Sequence, residues 1–183
     1  MHEAGPNQIE KSTSTARRIS RSVCLGALLA LILAVAPHAL SQDGGENPEV
    51  APAFTLRSLD GVDVALADYL GCVVILDFWA SWCDPCTETL PQIHALQQAY
   101  ADRGVVLLVL CFDKHEEDAR NYLVENGYAT DNVLWGSLNE ARAVKDLYGV
   151  CAVTHTIVID RDGYIRFSGH PIRITPQVLE PWV

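Results

Sequence analysis

Two cysteines three residues apart, Cys83 and Cys86, close the run VVILDFWASWCDPC, in which an apolar strand pattern gives way to a helical one. A helix N-terminus carries unpaired N–H groups and a partial positive charge, so a cysteine placed there loses its proton readily and becomes a strong nucleophile. Cys83 is therefore the expected attacking thiolate. Cys86, within the first helical turn, can reach the sulfur of a mixed disulfide and release the substrate, which makes it the expected resolving thiol. Asp77 lies six residues before Cys83 inside the same apolar strand. A carboxylate is costly to bury there without a task, and burial raises its pKa, so Asp77 is the expected acceptor of the Cys86 proton. The chemistry is thiol–disulfide exchange, and it asks for no cofactor beyond the Cys83–Cys86 pair.

The residues around the pair refine this reading. Asp84 sets a negative charge beside any thiolate and opposes the helix-terminus effect, which favours a reducing pair. Pro85, early in the helix, stiffens the turn without losing a hydrogen bond. Trp79 and Trp82 are expected to shield and pack. A structural zinc site is not supported, because there is no second C-x-x-C and no paired histidine motif. A different class of function stays open: Cys83 and Cys86 together with His155 form a donor set suited to Cu(I) or Zn(II), as in a metallochaperone. Peroxide chemistry is the weaker reading, because Ala80 stands where a Thr-x-x-Cys arrangement would need threonine.

The elements that must hold these residues are legible. Val73–Trp79 is a near-continuous apolar run, as for a central strand covered on both faces. From Asp84, the spacing of Leu90, Ile93, Leu96 and Tyr100 predicts a helix, with Pro91 expected to kink it and Gly104 ending it. Val105–Leu110 repeats the buried-strand signature, which gives a parallel pair with a helical crossover and an α/β core. Helices are predicted at Glu116–Asn126 and Asn139–Tyr148 and a short strand at Val133–Trp135. Asp60-Gly61 and Asp162-Gly163 predict tight hairpins, one between Phe54–Leu56 and Val62–Leu66, the other between Thr156–Asp160 and Tyr164–Ser168. A short terminal helix follows Thr175-Pro176.

Ahead of the domain, Arg17, Arg18 and Arg21 precede the apolar stretch Val23–Ala36 and the small residues Ala39-Leu40-Ser41. Residues 1–41 read as a secretory signal, with an uncleaved membrane anchor as the alternative. Residues 42–52 are a flexible lead and 53–183 the folded domain. Beyond residue 41 there are 9 basic against 21 acidic side chains, which argues against nucleic acid or an anionic lipid surface as a partner. Export to a periplasmic or other extracytoplasmic space lets disulfides persist, so a reduced dithiol there needs an electron supply. Five cysteines follow residue 41, so at least one is free or pairs outside the chain; Cys151 is a candidate for a second bridge or a mixed disulfide near the site, and Cys72 and Cys111 read as buried small residues.

The segment WASWCDPCTETLP, with Asp77 upstream and Pro91 beyond, resembles the thioredoxin family. APAFTLRSLDG, the insertion Glu116–Trp135 and YGVCAVTHTIVIDRDGYI are similar to exported thiol-disulfide oxidoreductases of the TlpA and ResA type, within the AhpC/TSA-like redoxins. The resemblance implies a thioredoxin-like fold: a central mixed β-sheet flanked by helices, an N-terminal β-hairpin and an inserted helix-strand segment. It implies Cys83 as nucleophile, Cys86 as resolving thiol and Asp77 as the buried acid, with Trp82, Asp84, Pro85, Val153 and Thr154 bordering the substrate. It further implies a protein-disulfide substrate, a role in cytochrome c maturation or another reducing branch, and a membrane electron donor of the DsbD or CcdA type. The chain departs from the pattern twice. Thr89 stands where the family carries glutamate, and Thr154 stands where it carries a cis-proline facing the dithiol, which implies either a strained cis bond or a rearranged docking loop.

Overall fold

The computed structural model describes residues 48–183. The expected signal or anchor, and most of the flexible lead, lie outside the described residues. Among the described residues no helix is long and apolar enough to cross a membrane.

A five-stranded sheet in the order β5-β4-β3-β6-β7 forms the core, and a separate hairpin of β1 (Thr55–Arg57) and β2 (Asp63–Ala65) precedes it. At its centre β3 (Val73–Trp79) runs parallel to β4 (Val105–Cys111), and every residue of both strands is buried. Near-continuous apolar side chains, broken only by Asp77 in β3, produce this, because a strand covered on both faces gains nothing from alternation. The crossover between the two is α1 (Asp84–Tyr100), which runs through Pro91 as one helix and buries Leu90 and Ile93. On the other side β6 (His155–Ile159) pairs antiparallel with β3, and β7 (Ile165–Gly169) with β6, so the sheet is mixed. The insertion supplies α2 (Glu116–Glu125) and β5 (Val133–Leu134), and α3 (Leu138–Leu147) follows. A short α4 (Pro176–Leu179) ends the described elements, starting at the expected Thr175 cap position.

The helices divide between the two faces. Trp79 packs against Tyr122 of α2, whereas Phe78, the next residue back, packs against Phe112 and against Tyr148, just after α3. Side chains alternate along a strand, so Asp77 shares the Trp79 face, the one that α1 and α2 cover.

The two Asp-Gly dipeptides do not make the two-residue turns their sequence suggests. Ser58 N–H donates to the Val62 carbonyl, leaving a three-residue loop with Gly61 at φ +78°, and Asp160 N–H donates to the Tyr164 carbonyl around Gly163 at φ +86°. Three-residue hairpin loops place their last residue in the left-handed region, where glycine carries no Cβ penalty. The dipeptide marks the turn, and its glycine fills the third loop position.

Candidate active site

Cys83 is the N-cap of α1, in an extended conformation, and Pro85 falls in the first turn of that helix. Its carbonyl accepts hydrogen bonds from the N–H groups of Cys86 and Thr87, at 2.9 and 3.0 Å. This winding brings the two cysteines to a Cα separation of 5.2 Å, and they form a disulfide. Cys83 keeps 6% of its surface exposed and Cys86 only 1%. The outer sulfur is the one a partner can reach, and the inner one is sealed.

Two side chains, Asp113 and Thr89, fix this corner. Asp113, 1% exposed, accepts hydrogen bonds from the Ser81 N–H at 3.0 Å and the Ser81 hydroxyl at 2.5 Å, holding the turn between β3 and α1. The Cys111 thiol also donates to Asp113, and burial together with the Asp113 charge pushes that thiol well above its ordinary pKa. Cys111 is thereby an inert core residue, and Cys72 is buried as expected. Thr89 turns its hydroxyl back to the carbonyls of Pro85 and Cys86, at 2.9 and 3.2 Å, and so braces the first turn of α1. Glu88 is exposed on another side of the helix.

Asp77 is 2% exposed, and burial raises its carboxyl from the ordinary value to about 7. The Thr156 hydroxyl donates to it, at 2.5 Å from Oδ1, and works in the opposite direction. Thr156 is its cross-strand partner on β6, so sheet register alone delivers the donor. Asp77 thus faces the layer topped by α1, the helix that carries Cys86, with a pKa close to neutrality.

The loop before β6 closes the site. Thr154 has φ +66°, the only non-glycine residue in the left-handed region among those described, and no described peptide bond is cis. Its N–H donates to the Phe78 carbonyl at 3.0 Å, and its hydroxyl lies 3.1 Å from Cys83 Sγ and 3.0 Å from Cys86 Sγ. The missing proline is therefore met by a trans bond with strain at φ, costing about 1–3 kcal/mol for a β-branched residue. In exchange a hydroxyl touches both sulfurs.

The remaining site residues divide. Val153 is half-buried beside the dithiol, while Asp84 and Pro85 are exposed at its rim. Trp79 is fully buried, whereas Trp82 stands 63% exposed next to Cys83. His155 does not join the cysteines: its Nε2 pairs with the Ser168 hydroxyl on β7 at 2.8 Å, and burial together with His170 lowers its pKa. Among the described residues no group of three histidine, cysteine or acidic side chains could hold a metal ion, so the Cys83–Cys86–His155 donor set is not assembled. Cys151 forms no second bridge and is an exposed thiol.

Sequence reasoning overlooked Thr156 and Asp113. The signal for Asp113 was present, since it ends the apolar run VVLLVLCFD much as Asp77 interrupts VVILDFW.

Comparison with known proteins agrees with this geometry. The AhpC/TSA family profile matches residues 48–168. The thioredoxin-like protein YneN of Bacillus subtilis is 30% identical over 125 residues, which cover 67% of this chain and 71% of that protein. The thiol-disulfide oxidoreductase ResA of Bacillus anthracis is 28% identical over 137 residues, covering 69% and 77% respectively. Among solved structures, a thiol:disulfide interchange protein from Bacteroides sp. superposes with a TM-score of 0.65 at 26% identity, over 75% of this chain and 90% of that one. A helix-capping dithiol on a mixed thioredoxin-like sheet, matched by relatives of this kind, makes the chain a member of the AhpC/TSA family and a thiol-disulfide oxidoreductase within it.

Proposed function

We propose that the protein is exported and reduces disulfides in protein clients. The observation that supports this best is the exposure difference across one bridged pair, with Cys83 reachable at the N-cap of α1 and Cys86 sealed behind it. In the reduced protein, Cys83 thiolate attacks one sulfur of the client disulfide, forming a mixed disulfide and releasing the first client thiolate. Cys86, as its thiolate, then attacks Cys83 Sγ, releasing the second. Two electrons pass from the dithiol to the client, and the Cys83–Cys86 disulfide remains. Asp77 takes the Cys86 proton, a role for which a pKa near 7 is well matched.

Thr154 belongs to this machinery. A hydroxyl within reach of both sulfurs can donate to whichever one carries negative charge, and such charge-assisted bonds are about twice as strong as neutral ones. The clients and the electron donor follow from the family resemblance and the N-terminal segment: a protein disulfide on one side and a membrane donor of the DsbD or CcdA type on the other, with cytochrome c maturation as the reducing branch by analogy. Asp84 beside Cys83 weighs toward reduction.

The test is the reduction potential of the pair in the purified protein, followed by Trp79 and Trp82 fluorescence in defined thiol buffers. A value near or below about −250 mV supports a reductase, and one near about −120 to −180 mV overturns that direction in favour of an oxidase or isomerase.

A further inference from the structure

A groove of about 430 Å³ opens beside the dithiol, bounded by Trp82 and Val153 and floored by Phe112 and Leu138. It is adjacent to the reacting sulfurs in sequence and in space, since Trp82 precedes Cys83, and Val153 precedes the Thr154 that touches both sulfur atoms. The same groove is lined by Lys114, Arg142 and Lys145. Arg142 and Lys145 follow Leu138 on α3 at the fourth and seventh positions, so one helical face presents all three.

These cations are out of character for the protein. Residues 48–183 hold 9 basic against 19 acidic side chains, and three of the nine converge here. Several of the others are engaged elsewhere: Arg103 with Glu180, Arg120 with Glu116, and Arg166 with Asp160. Arg161 donates to the carbonyls of Gly71 and Arg103. Lys145 is partly engaged as well, donating to the Val150 carbonyl at 3.0 Å and lying 3.6 Å from Asp146, so it steadies the loop that leads to Thr154. Lys114 and Arg142 are exposed and make no ion pair among the described residues. Of the acidic groups close by, Asp113 is buried against Ser81 and the exposed Asp146 lies beside Lys145, which leaves Lys114 and Arg142 as the groove cations without an ion pair among the described residues.

We propose that this groove receives an acidic, extended segment of the client protein, adjoining the disulfide to be reduced. The inference rests on the reductase reading and names the class of client. An exposed tryptophan and an arginine are the side chains most often dominant at binding surfaces, and unpaired cations select the sign of what lies across them. The described surface carries more acidic than basic side chains, so a cluster of three cations beside the dithiol favours an acidic client there over most of the surface and orients it as well as binding it.

The experiment compares three peptides, each with one intramolecular disulfide flanked by aspartate and glutamate, by lysine, or by neutral polar residues, alongside the uncharged hydroxyethyl disulfide. With the reduced protein in excess at low salt, the second-order rate constant for reduction of the acidic peptide should exceed that for the lysine peptide by about tenfold, and the ratio should collapse toward unity near 0.5 M salt. In the Lys114→Glu, Arg142→Glu double variant the order of the peptides should invert. This ratio is independent of how much total activity the variant retains, and the salt dependence of the unaltered protein stands without the variant. Reduction of hydroxyethyl disulfide with no preference among the peptides, or a preference that the double variant leaves in place, overturns the groove assignment alone. Failure to reduce any of the four disulfides overturns the reductase reading and this inference with it.

Discussion

Thr156 and Asp77 face each other across the β3–β6 ladder, and the threonine hydroxyl donates to the carboxyl at 2.5 Å, the only side-chain hydrogen bond of this buried acid among the described residues. Burial outweighs that bond and raises the carboxyl to about 7. The folded protein therefore holds a proton on Asp77 over a range in which the unfolded chain has already lost it.

Stability should follow the sign of that difference. The contribution of Asp77 is fully present below pH 3.8, declines as pH rises, and is gone once pH passes about 7. An Asp77→Asn variant cannot ionise, so relative to it the parent protein should lose stability between pH 4 and 7 and level off above. Urea unfolding midpoints of the two proteins across this range check it; a difference independent of pH would mean that Asp77 does not titrate there.

Turnover should show the opposite trend in the same window. Asp77 must be ionised to accept the Cys86 proton, so the resolving step should accelerate as pH passes about 7, and Asp77→Asn should slow it by about 100-fold and flatten the profile. Stopped-flow reduction of a peptide disulfide separates this step from the initial attack, which the substitution should leave much less affected.

Thr154 should set the potential of the dithiol. Its hydroxyl can stabilise a thiolate but adds less to the disulfide, so Thr154→Val should weaken the reduced form relative to the disulfide and lower the reduction potential by about 30 mV or more. Thr154→Gly should make the same change in potential while relieving the strain at φ +66°, and should come out more stable than Thr154→Val. Thr154→Pro does not restore a family-like loop by simple replacement. Proline is confined near φ −65° and would forfeit the N–H bond to Phe78, so this variant should be destabilised. Unchanged potentials in both the valine and glycine variants would remove the hydroxyl from the mechanism.

The parts of the fold that were legible in the sequence are those where one physical signal dominates. VVILDFW and VVLLVLC read as central strands because double-sided burial suppresses alternation, and the cysteine pair read as a redox site because strand and helix signals flank it. Asp77 was legible for the same reason, as one charge in an apolar run. Thr156 was not, since its importance comes only from lying opposite Asp77 in the sheet register. Thr154 was recognisable as a missing proline, but whether the strain would fall on the peptide bond or on φ depended on contacts with Phe78 and the two sulfurs. Trp82 could equally have packed inward. The groove was hidden because Trp82, Lys114 and Arg142 come from three separate stretches that share no periodicity.

Asp113 should act as a positioning residue for the turn that presents Cys83. Its carboxylate collects the Ser81 N–H, the Ser81 hydroxyl and the Cys111 thiol in a buried position. Truncation in Asp113→Ala leaves the Ser81 N–H without its acceptor and should cost about 1.5–3 kcal/mol, visible as a lower urea midpoint. The freed turn no longer holds Cys83 at the N-cap, so the rate of mixed-disulfide formation should fall as well. Asp113→Asn retains an oxygen acceptor for Ser81 and should recover part of both losses. If the alanine variant unfolds at the parental midpoint and attacks disulfides at the parental rate, the turn is held by the chain itself and Asp113 contributes nothing to it.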